Sequence, residues 1–88
     1  MTKPKLFVKQ GCPWCIEALE YFKTKAVDFE IIDVRTEPTR MPELIEASGQ
    51  SKTPTLQNGD FVVADFDSEE FETAMFKNPQ EANKLGLA

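Results

Sequence analysis

Between Lys5 and Val34 an apolar run, a glycine break, an amphipathic segment opened by two cysteines and a second apolar run follow one another. That order leaves the chain few ways to fold. Lys5-Leu6-Phe7-Val8-Lys9 is a short apolar stretch bracketed by lysines, which suits a central strand buried on both faces. Gly11 interrupts it. From Pro13 onward Cys15, Ala18, Leu19, Phe22 and Ala26 recur at helical spacing, while Glu17, Glu20, Lys23 and Lys25 fall off that stripe. Cys12 takes the N-cap position of the predicted helix. Pro13 takes the first helical position, where its missing N–H costs nothing, and the acids precede the bases in the sense that the helix dipole favours. Asp28-Phe29-Glu30-Ile31-Ile32-Asp33-Val34 is rich in β-branched and aromatic residues and reads as a second strand. Strand, helix and strand at this spacing predict a right-handed parallel crossover with the two strands adjacent in one sheet.

A polar connection from Arg35 to Pro38 leads to a second predicted helix from about Thr39 or Met41 to Ser48. Its expected buried face is Met41, Leu44 and Ile45. Pro42 is acceptable only in the first turn, and Gly49 suits the left-handed residue that ends a helix. Thr55-Leu56-Gln57 and Asp60-Phe61-Val62-Val63 flank Asn58-Gly59, a strong local signal for an antiparallel hairpin. Phe66 to Phe71 then reads as a helix start, with Asp67 as N-cap, Glu70 as its capping-box partner and Phe66 stapled to Phe71. The helix is predicted to run to about Lys77. Asn78-Pro79 stops it, and Pro79 to Leu85 forms a short last helix capped by Asn78 and ended by Gly86. The order is βαβαββα with a small terminal helix. It describes an α/β fold with a four-stranded mixed sheet and helices on both faces.

With 88 residues and no repeat, linker or low-complexity segment, residues 1–88 are expected to form one domain. Ten basic against 15 acidic residues, a net charge of -5, give no electrostatic footprint for nucleic acid or an anionic membrane. No apolar run approaches the roughly 20 residues of a bilayer span, and the opening Met-Thr-Lys-Pro-Lys is not followed by the apolar core of a signal peptide. A cytoplasmic monomer is expected.

Two cysteines and no histidine exclude Ser-His and Cys-His catalysis, and one chain supplies at most half of a four-ligand zinc site. In a reducing compartment a close cysteine pair is more often redox-active or metal-binding than structural. Cys12 and Cys15 form a C-x-x-C motif at a predicted strand-to-helix junction, a thioredoxin-like redox signal. A sulfur at the N-cap faces unpaired backbone N–H groups and the positive end of the dipole, and the second sulfur lies one turn below it. Cys12 is therefore the expected nucleophile and Cys15 the resolving thiol. The bland alternative is a buried, inert pair or half of an intermolecular metal site.

Cys12-Pro13-Trp14-Cys15, with Lys9 three residues ahead and Thr53-Pro54 before the hairpin, resembles the active-site pattern of glutaredoxins, commonly Cys-Pro-Tyr-Cys. The resemblance spans about Lys5 to Phe71. Thioredoxin is less similar, because its Trp-Cys-Gly-Pro-Cys order is absent. The resemblance implies the thioredoxin-like fold and reduction of protein disulfides or glutathione mixed disulfides. It also implies glutathione as co-substrate and partner, with no bound cofactor or metal. Lys9 matches the family lysine that approaches the glycine carboxylate of glutathione; read as a lone residue, it is a solvated strand end. Pro54 resembles the family's cis-proline, which frees the backbone of the preceding residue, here Thr53, to pair with glutathione like an added strand. A trans turn proline is the alternative. Gln50 falls near a position that often helps to bind the glycine carboxylate, or is a plain surface glutamine. Trp14 replaces the usual tyrosine and either covers the sulfur and meets a partner or packs on the sheet.

The main departure follows the hairpin. Many glutaredoxins carry Gly-Gly-x-Asp-Asp there, which holds the γ-glutamyl end of glutathione, whereas this chain has Ala64-Asp65-Phe66-Asp67-Ser68. Asp67 and Ser68 keep polar groups at a helix start where N–H groups bind a carboxylate, although Asp67 has the capping role as an alternative. Loss of the glycine pair motivates a second possibility, a glutaredoxin-like electron donor recharged by thioredoxin reductase, for example for ribonucleotide reductase. An iron–sulfur carrier bridging two copies through Cys12 is a third, which Pro13 and a competing Cys15 disfavour.

Overall fold

The computed structural model describes residues 3–87; Met1, Thr2 and Ala88 of the predicted 1–88 domain lie outside the described residues. Four strands, β1 (Lys5–Val8), β2 (Glu30–Asp33), β3 (Thr55–Asn58) and β4 (Phe61–Ala64), form one sheet in the order β2-β1-β3-β4. β1 runs parallel to β2 and antiparallel to β3, and β3 pairs antiparallel with β4. Helices α1 (Pro13–Thr24), α2 (Met41–Ser48), α3 (Ser68–Lys77) and α4 (Pro79–Lys84) cover it, with a 3-10 turn at Pro38–Arg40 leading into α2. This is the four-stranded mixed sheet with covering helices that the element order predicts, and the thioredoxin-like architecture that the resemblance implies.

The interior divides by strand alternation. Leu6 and Val8 of β1 point to one face, where Cys15, Ala18 and Phe22 of α1 and Phe71 and Met75 of α3 complete the larger core. Phe7 points to the other, against Ile32, Val34 and Leu44 of α2. Phe22 and Phe71 meet edge to face with ring centroids 4.8 Å apart. They lock α1 to α3, and so set the two helices whose N-termini converge on the cysteines.

Several boundaries differ from the sequence expectation for identifiable reasons. β1 ends at Val8, leaving Lys9 in the turn. α1 ends at Thr24, and Ala26 takes a left-handed φ of 56°. The N–H of Val27 reaches the Phe22 carbonyl (3.2 Å) and that of Ala26 reaches Lys23 (3.2 Å), a Schellman motif with alanine where glycine is usual. Alanine there costs about 1 kcal/mol, so the sequence carried no stop signal. The hairpin loop is Gly59-Asp60, one residue later than Asn58-Gly59, because Asn58 pairs with Phe61 and only Gly59 has positive φ. In α2 Leu44 is fully buried but Ile45 is 48% exposed. The short helix presents only the Met41, Leu44 and Ala47 row to the sheet. Gly49 ends it with φ of 73° as predicted. At α3 both halves of the Asp67/Glu70 capping box form, and Phe66 packs on Phe71 at 5.4 Å. Asn78 does not cap α4; its side-chain amide donates to the Ala74 carbonyl (2.8 Å) and closes α3 instead.

Candidate active site

The turn after β1 decides where the first sulfur sits. Gly11 takes a φ of 82°, a left-handed conformation that glycine adopts at no steric cost. The Cys12 N–H then donates to the Lys9 carbonyl at 3.1 Å. Arg35, just beyond β2, donates from Nη1 to the Gln10 carbonyl at 2.6 Å and braces the turn from outside. Cys12 becomes the N-cap of α1, and its Sγ accepts from the Cys15 N–H at 3.2 Å.

Both cysteines are free thiols in different surroundings, Cys12 half-buried and Cys15 buried. Thr53, itself buried, faces them from the loop before β3, and its peptide bond to Pro54 is cis. The Cys15 thiol lies 3.1 Å from Thr53 Oγ1. Cys12 Sγ lies 3.9 Å from the Thr53 carbonyl oxygen and 3.9 Å from its hydroxyl. For Cys12, partial burial alone raises the thiol, but hydrogen bonds from Cys15, Thr53 and the Trp14 backbone outweigh it and leave the group below the usual thiol value. For Cys15, burial pushes the thiol up to about 11, with the Cys12 hydrogen bond and charge adding and Thr53 partly offsetting. Of the two sulfurs Cys12 is thus the one favoured as thiolate and Cys15 the one held as thiol.

A direct consequence is selective alkylation. Rising pH converts thiol to thiolate, so iodoacetamide should label Cys12 with a half-rate pH below that of a free thiol. Cys15 should stay unlabelled until pH approaches about 11. Peptide mass mapping across a pH series checks this; equal labelling of the two would contradict the asymmetry.

The other residues singled out by sequence gather around this pair to different degrees. Trp14 stands 56% exposed beside Cys12. With Asp65, Phe66, Asp67 and Glu70 it walls a groove of about 250 Å³. A larger groove of about 360 Å³ lies on the opposite face, between α2 and the hairpin, and holds none of the cysteine-site residues. Lys9 is half-buried at the end of β1, and among the described residues its ammonium joins no ion pair. Gln50 spends its carboxamide locally: Nε2 donates to Ser48 Oγ (2.7 Å) and Thr55 Oγ1 (3.3 Å), and Oε1 accepts from the Lys52 N–H. It braces the loop that presents Thr53. Asp65 adopts a left-handed φ of 52°, a conformation that aspartate tolerates. Asp67 is engaged as the α3 cap.

Three features escaped the sequence. The Arg35 brace is one, because contact between loops far apart in the chain leaves no local signal. Another is the Thr53 side chain, whose place before a proline drew attention to its backbone alone. The third is Glu17, which accepts from both Ser68 N–H (3.2 Å) and Ser68 Oγ (2.9 Å). The N-terminus of α3, read from sequence as open to a ligand carboxylate, is met by a carboxylate of the chain itself.

The family model described as Glutaredoxin matches residues 5–62, which includes both cysteines, Thr53 and Pro54. The chain belongs to the glutaredoxin family. The match stops before Ala64 to Ser68. A curated relative from Clostridium pasteurianum, a glutaredoxin-like 8.6 kDa protein in a rubredoxin operon, is 27% identical over 73 residues, 83% of this chain and 97% of that protein. Among solved structures, the glutaredoxin of Archaeoglobus fulgidus aligns with a TM-score of 0.70 and 26% identity over 83% of this chain and 85% of that one. Wheat glutaredoxin (TM-score 0.69, 21% identity, 99% and 82% covered) and that of Brucella melitensis (0.66, 23%, 99% and 91%) share the fold. Among the described residues no helix is long and apolar enough to cross a membrane.

Proposed function

We propose that this glutaredoxin-family chain is a dithiol oxidoreductase that reduces protein disulfides or glutathione mixed disulfides, with glutathione as the electron source. The observation that carries the proposal is the unequal pair of sulfurs: a half-buried Cys12 favoured as thiolate and a buried Cys15 favoured as thiol, joined through Thr53. The Cys12 thiolate attacks one sulfur of a substrate disulfide and expels the other as a thiolate. Cys15 then attacks Cys12 Sγ, the mixed disulfide breaks, the substrate leaves reduced and the Cys12–Cys15 disulfide remains. Two glutathione thiols reduce that disulfide and leave as glutathione disulfide. Lys9 supplies a cation for a glutathione carboxylate, Trp14 an apolar wall, and the Thr53 N–H, without a hydrogen-bond partner among the described residues, an edge for an extended peptide.

The Glu17 contact favours a second reading. Its carboxylate already holds the Ser68 N–H at the start of α3. An electron donor recharged by thioredoxin reductase rather than by glutathione does not need that position free.

NADPH oxidation with a cysteine–glutathione mixed disulfide as substrate separates the two. Turnover is expected with glutathione plus glutathione reductase. Turnover with thioredoxin reductase alone would overturn the glutathione assignment and leave the dithiol chemistry intact.

A further inference from the structure

Beside Cys12, one contact links α1 to α3 and has no part in the exchange of sulfurs. Trp14 walls the groove there from α1, and Glu17, three residues on, is its neighbour on the same face of the helix. Asp65, Phe66, Asp67 and Glu70 form the other wall, at the start of α3. Glu17 crosses between the two walls. Its Oε1 accepts from the Ser68 N–H at 3.2 Å and from the Ser68 hydroxyl at 2.9 Å. Ser68 directly follows the Asp67 cap, so its N–H is one of the donors that a helix start leaves unpaired and that attract a ligand carboxylate.

The charged groups of the two walls share one sign. Asp67 Oδ1 accepts from the Glu70 N–H at 2.7 Å and Glu70 Oε1 from the Asp67 N–H at 3.1 Å, so both carboxylates meet backbone donors and not cations. Lys52 Nζ lies 3.9 Å from Asp65, with both side chains more than half exposed. Among the described residues no ion pair reaches Glu17, Asp67 or Glu70. A disulfide that approaches Cys12 along this groove therefore meets an acidic wall, and Glu17 holds the one place on it where the backbone would have welcomed an anion.

We propose that Glu17 is a specificity-determining residue: its carboxylate at the start of α3 slows the attack of Cys12 on disulfides that carry negative charge beside the sulfur and favours protein disulfides flanked by Lys or Arg. In that step the Cys12 thiolate attacks one substrate sulfur, the Cys12 mixed disulfide forms, and the other sulfur leaves as a thiolate. Glu17 acts on it through the field across the groove. The inference rests on Cys12 as the nucleophile of the proposed function and narrows its protein substrates to basic segments; glutathione, an anion, remains the electron source of that reading and works against this field. A glutamate that merely ties α3 to α1 could be replaced by glutamine with no change in the choice of substrate.

The test uses the full chain with Cys15→Ser, in which the adduct on Cys12 accumulates, and three small probes: cystamine (cationic), hydroxyethyl disulfide (neutral) and dithiodipropionate (anionic). Adduct formation near neutral pH is followed by intact mass. Glu17→Gln keeps an oxygen for Ser68 and removes the charge, whereas Glu46→Gln removes a charge beside the groove on the opposite face. Thermal melts check that both fold. Rates relative to the neutral probe cancel any general change in Cys12 reactivity, and comparison between variants cancels the intrinsic reactivity of each probe. Glu17→Gln should raise the relative rate of the anionic probe and lower that of the cationic one, each by about two- to fivefold, the range that surface charge pairs reach. Both changes should fade in about 1 M salt, where the screening length is about 3 Å. Glu46→Gln should leave both ratios unmoved. Unchanged ratios in Glu17→Gln, or an equal change in Glu46→Gln, would overturn the assignment and leave the dithiol chemistry intact. Failure of all three probes to form an adduct on Cys12 would remove the nucleophile, and this proposal with it.

Discussion

Replacing Cys12 by Ser is expected to abolish disulfide reduction altogether, while Cys15→Ser keeps the first step. The two residues differ in position rather than in kind. Cys12 Sγ sits at the α1 N-cap with the Cys15 N–H at 3.2 Å, where the partial positive charge of the helix start stabilises an anion. A serine hydroxyl there stays protonated and forms no disulfide, so no intermediate can accumulate. Cys15 is buried beneath it with its thiol pushed up to about 11, which makes it a poor attacker of external substrates. In Cys15→Ser the mixed disulfide on Cys12 therefore builds up, and a second external thiol is the only route to resolve it. Activity toward glutathione mixed disulfides should survive in that variant, whereas reduction of protein disulfides that need an internal second thiol should drop sharply. Intact-mass measurement of the trapped species is decisive: equal loss of all activity in both variants, without a trapped adduct, would rule out the single-thiol route.

Phe71→Ala should be the most damaging substitution outside the cysteines. Phe71 is fully buried and its ring meets Tyr21, Phe22 and Phe66 at centroid distances of 5.9, 4.8 and 5.4 Å. Truncation removes the apolar area and leaves a cavity that the crossing of α1 and α3 cannot close. The expected cost is about 3–5 kcal/mol, a large share of the roughly 5–15 kcal/mol available to a small domain. With a urea dependence of about 1 kcal/mol per molar for a chain of this size, the midpoint falls by about 3–5 M. A shift below about 1 M would mean that the aromatic cluster does not hold α3 on α1. Phe66 belongs to the same cluster and walls the groove beside Trp14, so a folded fraction of this variant should also show an altered site.

Much of the architecture was legible because it follows from local chemistry. The capping box at Asp67 and Glu70, the left-handed Gly49 and the placement of Cys12 before Pro13 each depend on residues within one turn of one another. Where local signals were weak, expectation and structure parted. Ala26 ends α1 although nothing marks it as a stop, and Asn58 stays paired in the ladder because the hairpin loop needs positive φ only at Gly59. Ile45 matched the helical period, yet an eight-residue helix offers the sheet too narrow a face to bury it.

The candidate site divides in the same way. Cys12, Cys15 and their unequal surroundings follow from two cysteines, a proline and a strand-to-helix junction, since a residue one turn below the cap on the apolar stripe is buried while the cap is not. Thr53 meets both sulfurs across separations of 41 and 38 residues, Arg35 reaches Gln10 across 25, and Glu17 reaches Ser68 across 51. No local pattern encodes such contacts. They depend on β1 lying between β2 and β3, which carries the loops after β2 and before β3 to the same end of the sheet as the first turn of α1. The sequence by itself determined the close cysteine pair and the fold that presents it. Only the tertiary structure decided which side chain joins the two thiols and which carboxylate meets the start of α3, because those choices are made by packing between segments far apart in the chain.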